Sequence, residues 1–167
     1  MAIETTIPIQ GLWRILRWLP GLFLRWYFTP AKLARLIYVD TYPRYASAVV
    51  ELGQSASFTL NLQVINLSPF SVELDRASFH FWCGGTILNA SILKKQVIAP
   101  GEITTLYIRE SIPDGHANQI AKMLQGNPIA LEGNIEFNCK VCSFAKTVGR
   151  LDGVNLKVNN AQTRANT

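Results

Sequence analysis

Residues 57–66 read Ser-Phe-Thr-Leu-Asn-Leu-Gln-Val-Ile-Asn, and this stretch decides the fold class. Apolar side chains stand at every second position from Phe58 to Val64, and polar residues such as Asn61 stand between them. A period of two is typical of a strand that buries one face and shows the other to solvent. The stretch therefore predicts a half-buried strand of an antiparallel sheet.

Outward from this strand, the same alternation returns in residues 128–138, where Leu131, Ile135 and Phe137 share one face. Turn-forming residues bound further predicted strands over 72–82, 86–92 and 102–110, and a final hairpin arm over 143–158. The apolar phase of the strand over 72–82 shifts at Asp75 and Arg76, which predicts a β-bulge.

One helix is expected within this run of strands, over 115–125 with Asp114 as its cap. Roughly seven short strands with one helix favour a mainly β fold, a sandwich of two sheets. We place this domain at 46–158 and expect the polar tail over 159–167 to be disordered.

Composition agrees with one folded domain and a short appendage. The chain has 167 residues, of which 49% are apolar and 16% are charged. This balance excludes a disordered chain and a multi-span membrane protein. Three cysteines do not describe a disulfide framework, so a compartment facing the cytosol is favoured.

Positive charge is concentrated in the first 45 residues. Six basic and two acidic side chains give this segment a net charge of +4, out of +5 for the whole chain. The basic residues are Arg14, Arg17, Arg25, Lys32, Arg35 and Arg44, and the acidic residues are Glu4 and Asp40. Such asymmetry indicates an anionic partner for this segment alone. Because the arginines stand among Trp, Leu and Phe, lipid headgroups are favoured over nucleic acid.

Residues 11–28 are about long enough to cross a bilayer, but their arginines oppose crossing. Each central arginine costs roughly 2.5–3.5 kcal/mol, while each Leu, Ile or Phe returns only about 0.3–0.6 kcal/mol. At about 100° per residue the cations from Arg14 to Arg35 fall within an arc of about 80°. This pattern predicts an in-plane amphipathic helix whose candidate membrane-binding residues are Trp13, Arg14, Arg17, Trp18, Arg25, Trp26, Tyr27, Lys32 and Arg35.

Prolines divide this segment into two hinged pieces. Pro20 should kink the first, and Thr29-Pro30 predicts the cap and first residue of a second helix over about 30–38. Two alternatives stay open: a tilted or re-entrant span, and packing of the apolar face on the sandwich or on the subunits of a membrane complex. We reject a cleaved signal peptide, because the apolar region contains arginines and no positive side chain precedes it.

A family resemblance rests on four stretches of the sandwich. Residues 62–74 (Leu-Gln-Val-Ile-Asn-Leu-Ser-Pro-Phe-Ser-Val-Glu-Leu) are a strand, a turn and a strand, and 79–86 (Phe-His-Phe-Trp-Cys-Gly-Gly-Thr) are a strand that ends in glycine. They precede Ile-Ala-Pro-Gly-Glu at 98–102 and Leu-Glu-Gly-Asn-Ile-Glu-Phe at 131–137. Over 47–158 this order resembles the water stress and hypersensitive response (WHy) domain, also called the late embryogenesis abundant group-2 domain. The resemblance implies an immunoglobulin-like or fibronectin III-like sandwich, no catalytic site, and stress protection or defence, often beside membranes.

The residues show no signature of catalysis. His80 and His116 lack acidic or nucleophilic neighbours in a known pattern, so hydrogen-bonded histidines are favoured. Cys139 and Cys142 form a Cys-x-x-Cys pair, for which free thiols are favoured over a disulfide, and a disulfide over half of a metal site. No phosphate-binding glycine loop or Ser-His-Asp pattern occurs, so we expect neither an enzyme nor a cofactor.

The expected function is that of a non-enzymatic, membrane-associated interaction or stress-protective protein, with residues 1–45 as a membrane-associating helical segment. Anionic membrane lipids are its expected partners, and nucleic acid is not. The alternative is a structural accessory subunit of a large integral-membrane complex, whose other subunits would be its partners. Basic residues follow the apolar segment, which by the positive-inside tendency predicts a domain on the cytoplasmic side.

Overall fold

The computed structural model describes residues 24, 26–41, 46–53, 55–93, 95–123 and 127–160. These residues form a mainly β structure with two sheets, and two helices lie wholly within them. The helices are α1 (Pro30–Leu36) and α2 (Asp114–Met123). The strands are β1 (Ile37–Thr41), β2 (Ala48–Leu52), β3 (Ser57–Asn66), β4 (Val72–Cys83), β5 (Thr86–Ile92), β6 (Gln96–Ile98), β7 (Ile103–Ser111), β8 (Ala130–Cys139), β9 (Ser143–Leu151) and β10 (Leu156–Asn160).

Strand β3, the stretch with the clearest alternation, is the centre of the first sheet. It pairs with β7 along one edge, and with β2 and then β1 along the other. Strand β10 adds to β2 in a parallel pairing, whereas every other pairing among the described strands is antiparallel. Among the described strands, this edge is the one departure from the antiparallel pairing that the sequence predicts.

The second sheet has the order β9, β8 and β4, with β5 and β6 along the far edge of β4. The register between β4 and β8 shifts between Leu74 and Arg76, which confirms the predicted bulge. Because the bulge adds one residue to β4 between Leu74 and Arg76, Leu74 before it and Ala77 after it both face the core, and both are fully buried.

The two sheets face each other across one hydrophobic core. The rings of Phe58 on β3 and Phe81 on β4 stack across it, with their centroids 6.0 Å apart. Every second residue of β3 is buried, as its alternation predicts. Each fully buried side chain of this size contributes about 1.5–3 kcal/mol, so the inward residues of β3 hold the sheets together.

Helix α1 covers one open side of this sandwich, where it packs against the edge strands β9 and β1. The Thr29 hydroxyl caps the helix by accepting a hydrogen bond from the Lys32 N–H at 3.4 Å, and Pro30 is its first residue, as predicted. Leu33 points into the core and has no exposed surface. The position of α1 is therefore fixed by the core.

Two parts of the chain differ from the prediction. Strand β1 (Ile37–Thr41) lies inside the segment 1–45, which we predicted to be helical. The β-branched side chains of Ile37 and Val39 favour an extended chain and are buried on one face of it. Helix α1 therefore ends at Leu36, whereas we predicted an end at about residue 38. Residues 143–158 form no hairpin arm, because β9 pairs with β8 whereas β10 crosses to the other sheet.

A fully buried polar pair, Asn66 and Ser68, links three segments at the end of β3. The Asn66 Nδ2 donates to the carbonyl oxygens of Phe70 at 2.8 Å, Ile98 at 3.0 Å and Ala99 at 3.1 Å. Its Oδ1 accepts from the amide and the hydroxyl of Ser68. We call Asn66, Ser68 and these three carbonyls the Asn66 cluster. Since the buried polar atoms of the Asn66 side chain have partners within the protein, the cluster is structural.

Candidate functional site

The described end of the N-terminal segment packs on the sandwich through one face. Leu24 and Phe28 have only 3% and 4% of their surface exposed. The Phe28 ring meets the Phe70 ring edge-on, with centroids 5.0 Å apart. Leu24, Phe28 and Leu33 belong to the main core. For these three residues, the alternative in which the apolar face packs on the sandwich is correct.

Trp26 and Tyr27 lie outside this packed face, with 84% and 58% of their surface exposed. A large aromatic side chain left in water forgoes about 1.5–3 kcal/mol of burial. Lys32 and Arg35, three residues apart on α1, are exposed as well. We call Trp26, Tyr27, Lys32 and Arg35 the α1 patch.

A lysine lies directly beside one exposed ring of the α1 patch. The Lys32 Nζ lies 4.4 Å from the centroid of the Tyr27 ring, and it donates to the Tyr27 carbonyl oxygen at 3.1 Å. The first contact is a cation–π interaction. Together the two contacts keep a positive charge and an aromatic ring side by side at the surface.

Among the described residues, no carboxylate forms an ion pair with the cations of the α1 patch, unlike three cations elsewhere on the sandwich. Lys95, Arg109 and Arg150 lie 3.3, 3.2 and 2.7 Å from carboxylate oxygens. Neither Lys32 nor Arg35 has a carboxylate of the described residues within ion-pair distance. Their charge is available to an external anion.

The predicted membrane-binding residues divide into two groups. Trp26, Tyr27, Lys32 and Arg35 are exposed in the structure. The remaining five lie outside the described residues, so their place in a cationic stripe stays a prediction; they are Trp13, Arg14, Arg17, Trp18 and Arg25. Helical structure is interrupted at Phe28 and Thr29, where we predicted the hinge. In the part of the chain that the structure describes, no helix combines the length and the apolarity needed to span a bilayer.

The Cys-x-x-Cys pair flanks the turn between β8 and β9. The Cys139 N–H donates to the Cys142 carbonyl oxygen at 3.2 Å, and the Cys139 Sγ lies 3.1 Å from the same oxygen. Within the described ranges, no three His, Cys, Asp or Glu side chains are grouped so that they could hold a metal ion. The third cysteine, Cys83, is buried, and burial raises the pKa of its thiol to about 11.

Both histidines lie at the surface of the structure. The His80 Nδ1 lies 2.8 Å from the Asn89 Oδ1 on an exposed sheet face, which agrees with the expected hydrogen-bonded histidine. His116 is exposed in the first turn of α2.

Sequence reasoning missed the residues that position the α1 patch. Phe28 precedes the Thr29 cap, and Leu33 is the fourth residue of α1, the two positions of a hydrophobic staple. Phe28 and Leu33 are both buried. The hydrophobic-staple pattern in the sequence could therefore have predicted that Phe28 is buried, in contrast to the exposed Trp26. Phe70, which receives Phe28, has no local signal because the two residues are far apart in the chain.

Comparisons with known proteins show similarity to solved structures only. No family model and no curated protein matches the chain. A structural-genomics target solved by X-ray crystallography is 11% identical with a TM-score of 0.48, over 70% of this chain and 84% of its own. A structure described as the ApaA protein from Bordetella pertussis is 11% identical with a TM-score of 0.41, over 69% of this chain and 86% of its own. A solution structure described as a late embryogenesis abundant protein is 12% identical with a TM-score of 0.35, over 90% of this chain and 92% of its own. At these scores none of the three carries a functional conclusion.

Proposed function

We propose that this chain is a non-enzymatic, membrane-associated interaction or stress-protective protein, whose N-terminal segment holds the sandwich at an anionic membrane surface on the cytoplasmic side. The observation that carries the proposal is the division of adjacent residues near α1. Phe28 is buried in the core, while Trp26 and Tyr27 beside it are exposed together with Lys32 and Arg35.

The chemistry of the α1 patch suits the boundary between headgroups and acyl chains. Tryptophan and tyrosine favour this depth because each has an apolar ring and one polar hydrogen. Unpaired cations attract anionic headgroups by about 1 kcal/mol each near the surface. The predicted cations Arg14, Arg17 and Arg25 would add to the same attraction.

The other parts of the proposal rest on the sequence. Stress protection, the lack of catalysis and the immunoglobulin or fibronectin III type of the sandwich follow from the resemblance to the WHy domain. The cytoplasmic side follows from the position of Lys32, Arg35 and Arg44 after the apolar segment.

Flotation of the full chain with vesicles tests the proposal. We expect binding to phosphatidylcholine vesicles that contain phosphatidylglycerol, and much weaker binding to phosphatidylcholine alone. The variant K32E/R35E should weaken binding by at least roughly thirtyfold, because it removes about 2 kcal/mol of attraction. The matched control K122E/K157E makes the same charge change at exposed lysines of α2 and β10 and should bind like the wild type. Equal binding of both variants would contradict the proposal.

The accessory-subunit role is a second candidate, which the same exposed tryptophan favours. Tryptophan is over-represented among residues that dominate protein interfaces, and Trp26 is 84% exposed. Native mass spectrometry of detergent extracts from the source membrane separates the two roles. A stoichiometric complex of high mass supports the subunit, and a lone chain with bound lipid supports the first proposal.

A further inference from the structure

A row of aromatic rings joins the α1 patch to the turn between β8 and β9. The Tyr27 ring meets the Phe28 ring edge-on at 5.0 Å, and the Phe28 ring meets Phe70 in the same way at 5.0 Å. Lys32 lies 4.4 Å from the centroid at one end of the row. Lys140 lies 5.1 Å from the Phe70 centroid at the other end. Two lysines thus stand at the ends of one row of rings.

We propose that Lys140, in the turn between β8 and β9, is a second anionic-lipid-binding residue of the same membrane-facing surface. This inference rests on the proposed function and adds to it the orientation of the sandwich. The end that carries the β8–β9 turn would then face the bilayer together with the α1 patch.

The structure holds the two lysines in a fixed relation. Phe28 and Phe70 are buried, so the middle of the row is part of the core. The Phe70 carbonyl oxygen accepts a hydrogen bond from the Asn66 Nδ2 at 2.8 Å and lies 2.9 Å from the Ser68 hydroxyl oxygen. The core therefore fixes the two ends of the row relative to each other, so that a membrane contact made by both lysines would need no rearrangement of the core.

The β8–β9 turn is equally well held. Its residue Val141 is only 6% exposed, and the Cys139 N–H bonds to the Cys142 carbonyl oxygen across the turn. Lys140, between them, is exposed. The turn thus presents one lysine at the surface while its neighbours pack.

Charge and the neighbouring exposed aromatic rings together favour anionic lipid as the occupant. No carboxylate among the described residues lies within ion-pair distance of Lys140 or Lys32, in contrast to Lys95. A soluble anion would use only the charges, whereas the exposed Trp26 and Tyr27 of the α1 patch also suit the boundary between headgroups and acyl chains. A bilayer surface with anionic headgroups supplies both.

Quantitative sedimentation of the full chain with phosphatidylcholine–phosphatidylglycerol vesicles tests the role of Lys140. K140E should weaken binding about fivefold or more, because one cation near the surface contributes that factor. K140R keeps the charge and should bind within about twofold of the wild type. The control K122E changes a lysine on α2, which packs beside Gly84 at the opposite end of β4, and should also bind like the wild type.

The possible results separate this inference from the proposed function. If the wild type binds and K140E binds as well as K122E, Lys140 is not a lipid contact, while the α1 patch keeps its role. If the wild type does not bind anionic vesicles, both ideas fail. Thermal unfolding of each variant controls for folding; should K140E unfold, K140Q removes the charge alone and must still weaken binding about fivefold.

Discussion

The Asn66 cluster includes the Phe70 carbonyl, and the α1 patch is linked to the Phe70 ring through buried Phe28, but the two regions treat their polar groups in opposite ways. In the cluster, the Asn66 amide group donates hydrogen bonds to backbone carbonyl oxygens, and its oxygen accepts from the Ser68 N–H, so its polar atoms are bonded within the protein. In the patch, Lys32 and Arg35 have no described carboxylate as partner, and Trp26 remains in solvent. The difference teaches that buried polar groups with partners inside the protein fix the fold, whereas exposed aromatic and charged groups remain available to a partner.

The largest effect is expected for Asn66→Ala. Several buried groups then lose partners, at about 1–3 kcal/mol each, so the free energy of unfolding should fall by about 4 kcal/mol. Urea denaturation followed by circular dichroism measures this loss. A fall below about 1 kcal/mol would show that the cluster does not hold the three segments together.

A somewhat smaller loss is expected for Leu33→Ala, because Leu33 is completely buried. Removing a buried leucine side chain should lower the free energy of unfolding by about 3 kcal/mol. The matched control is Lys32→Ala on the same turn of α1, which should change stability by less than about 0.5 kcal/mol. If urea denaturation gave the same free energy of unfolding for both variants, α1 would not be held by the packing of Leu33 in the core.

Trp26→Ala separates binding from stability. Its free energy of unfolding should stay within about 0.5 kcal/mol of the wild type, since the side chain is 84% exposed. Anionic-vesicle binding should weaken about tenfold, because the aromatic ring no longer enters the interface. Tyr107→Ala, at an exposed tyrosine of β7, is the control and should leave binding unchanged. If Trp26→Ala lowered the free energy of unfolding but left vesicle binding unchanged, Trp26 would be a structural residue and not a membrane-binding one.

The smallest effect concerns the buried Cys83 thiol, whose pKa burial raises to about 11. The ordinary thiol pKa is about 8.5, so the neutral thiol is the form that the folded state favours. This contribution to stability is fully present below about pH 8.5 and is lost as the pH rises through about 11. Alkylation at pH 8, followed by mass spectrometry, should label Cys83 last; early labelling of Cys83 would mean that this side of the core opens readily.

Much of the sandwich could be predicted because its signals are local. The alternation of β3, the phase shift at the bulge and the Thr29-Pro30 cap each depend on a few neighbouring residues. Strands β1, β2 and β6 have five residues or fewer, too short for a period to stand out. The parallel pairing of β10 with β2 depends on a crossing between sheets, which no local pattern encodes.

The candidate site could be predicted only in part, for a related reason. Trp26, Tyr27 and Phe28 follow one another in the sequence, and hydrophobicity alone does not separate them. Packing does, because Phe70 receives Phe28 and leaves the other two exposed. Lys140 was not predicted, since its place beside Phe70 results from the fold and not from a neighbouring motif.

The most direct test of the central claim is the fluorescence of Trp26 in the full-length variant W13F/W18F/W82F, where it is the single remaining tryptophan. With phosphatidylglycerol-containing vesicles, the account predicts a blue-shifted emission that brominated lipids quench, and no change with phosphatidylcholine alone. If Trp26 keeps its water-exposed emission and escapes quenching while the variant is folded and sediments with the vesicles, this side chain does not enter a membrane and the account is contradicted.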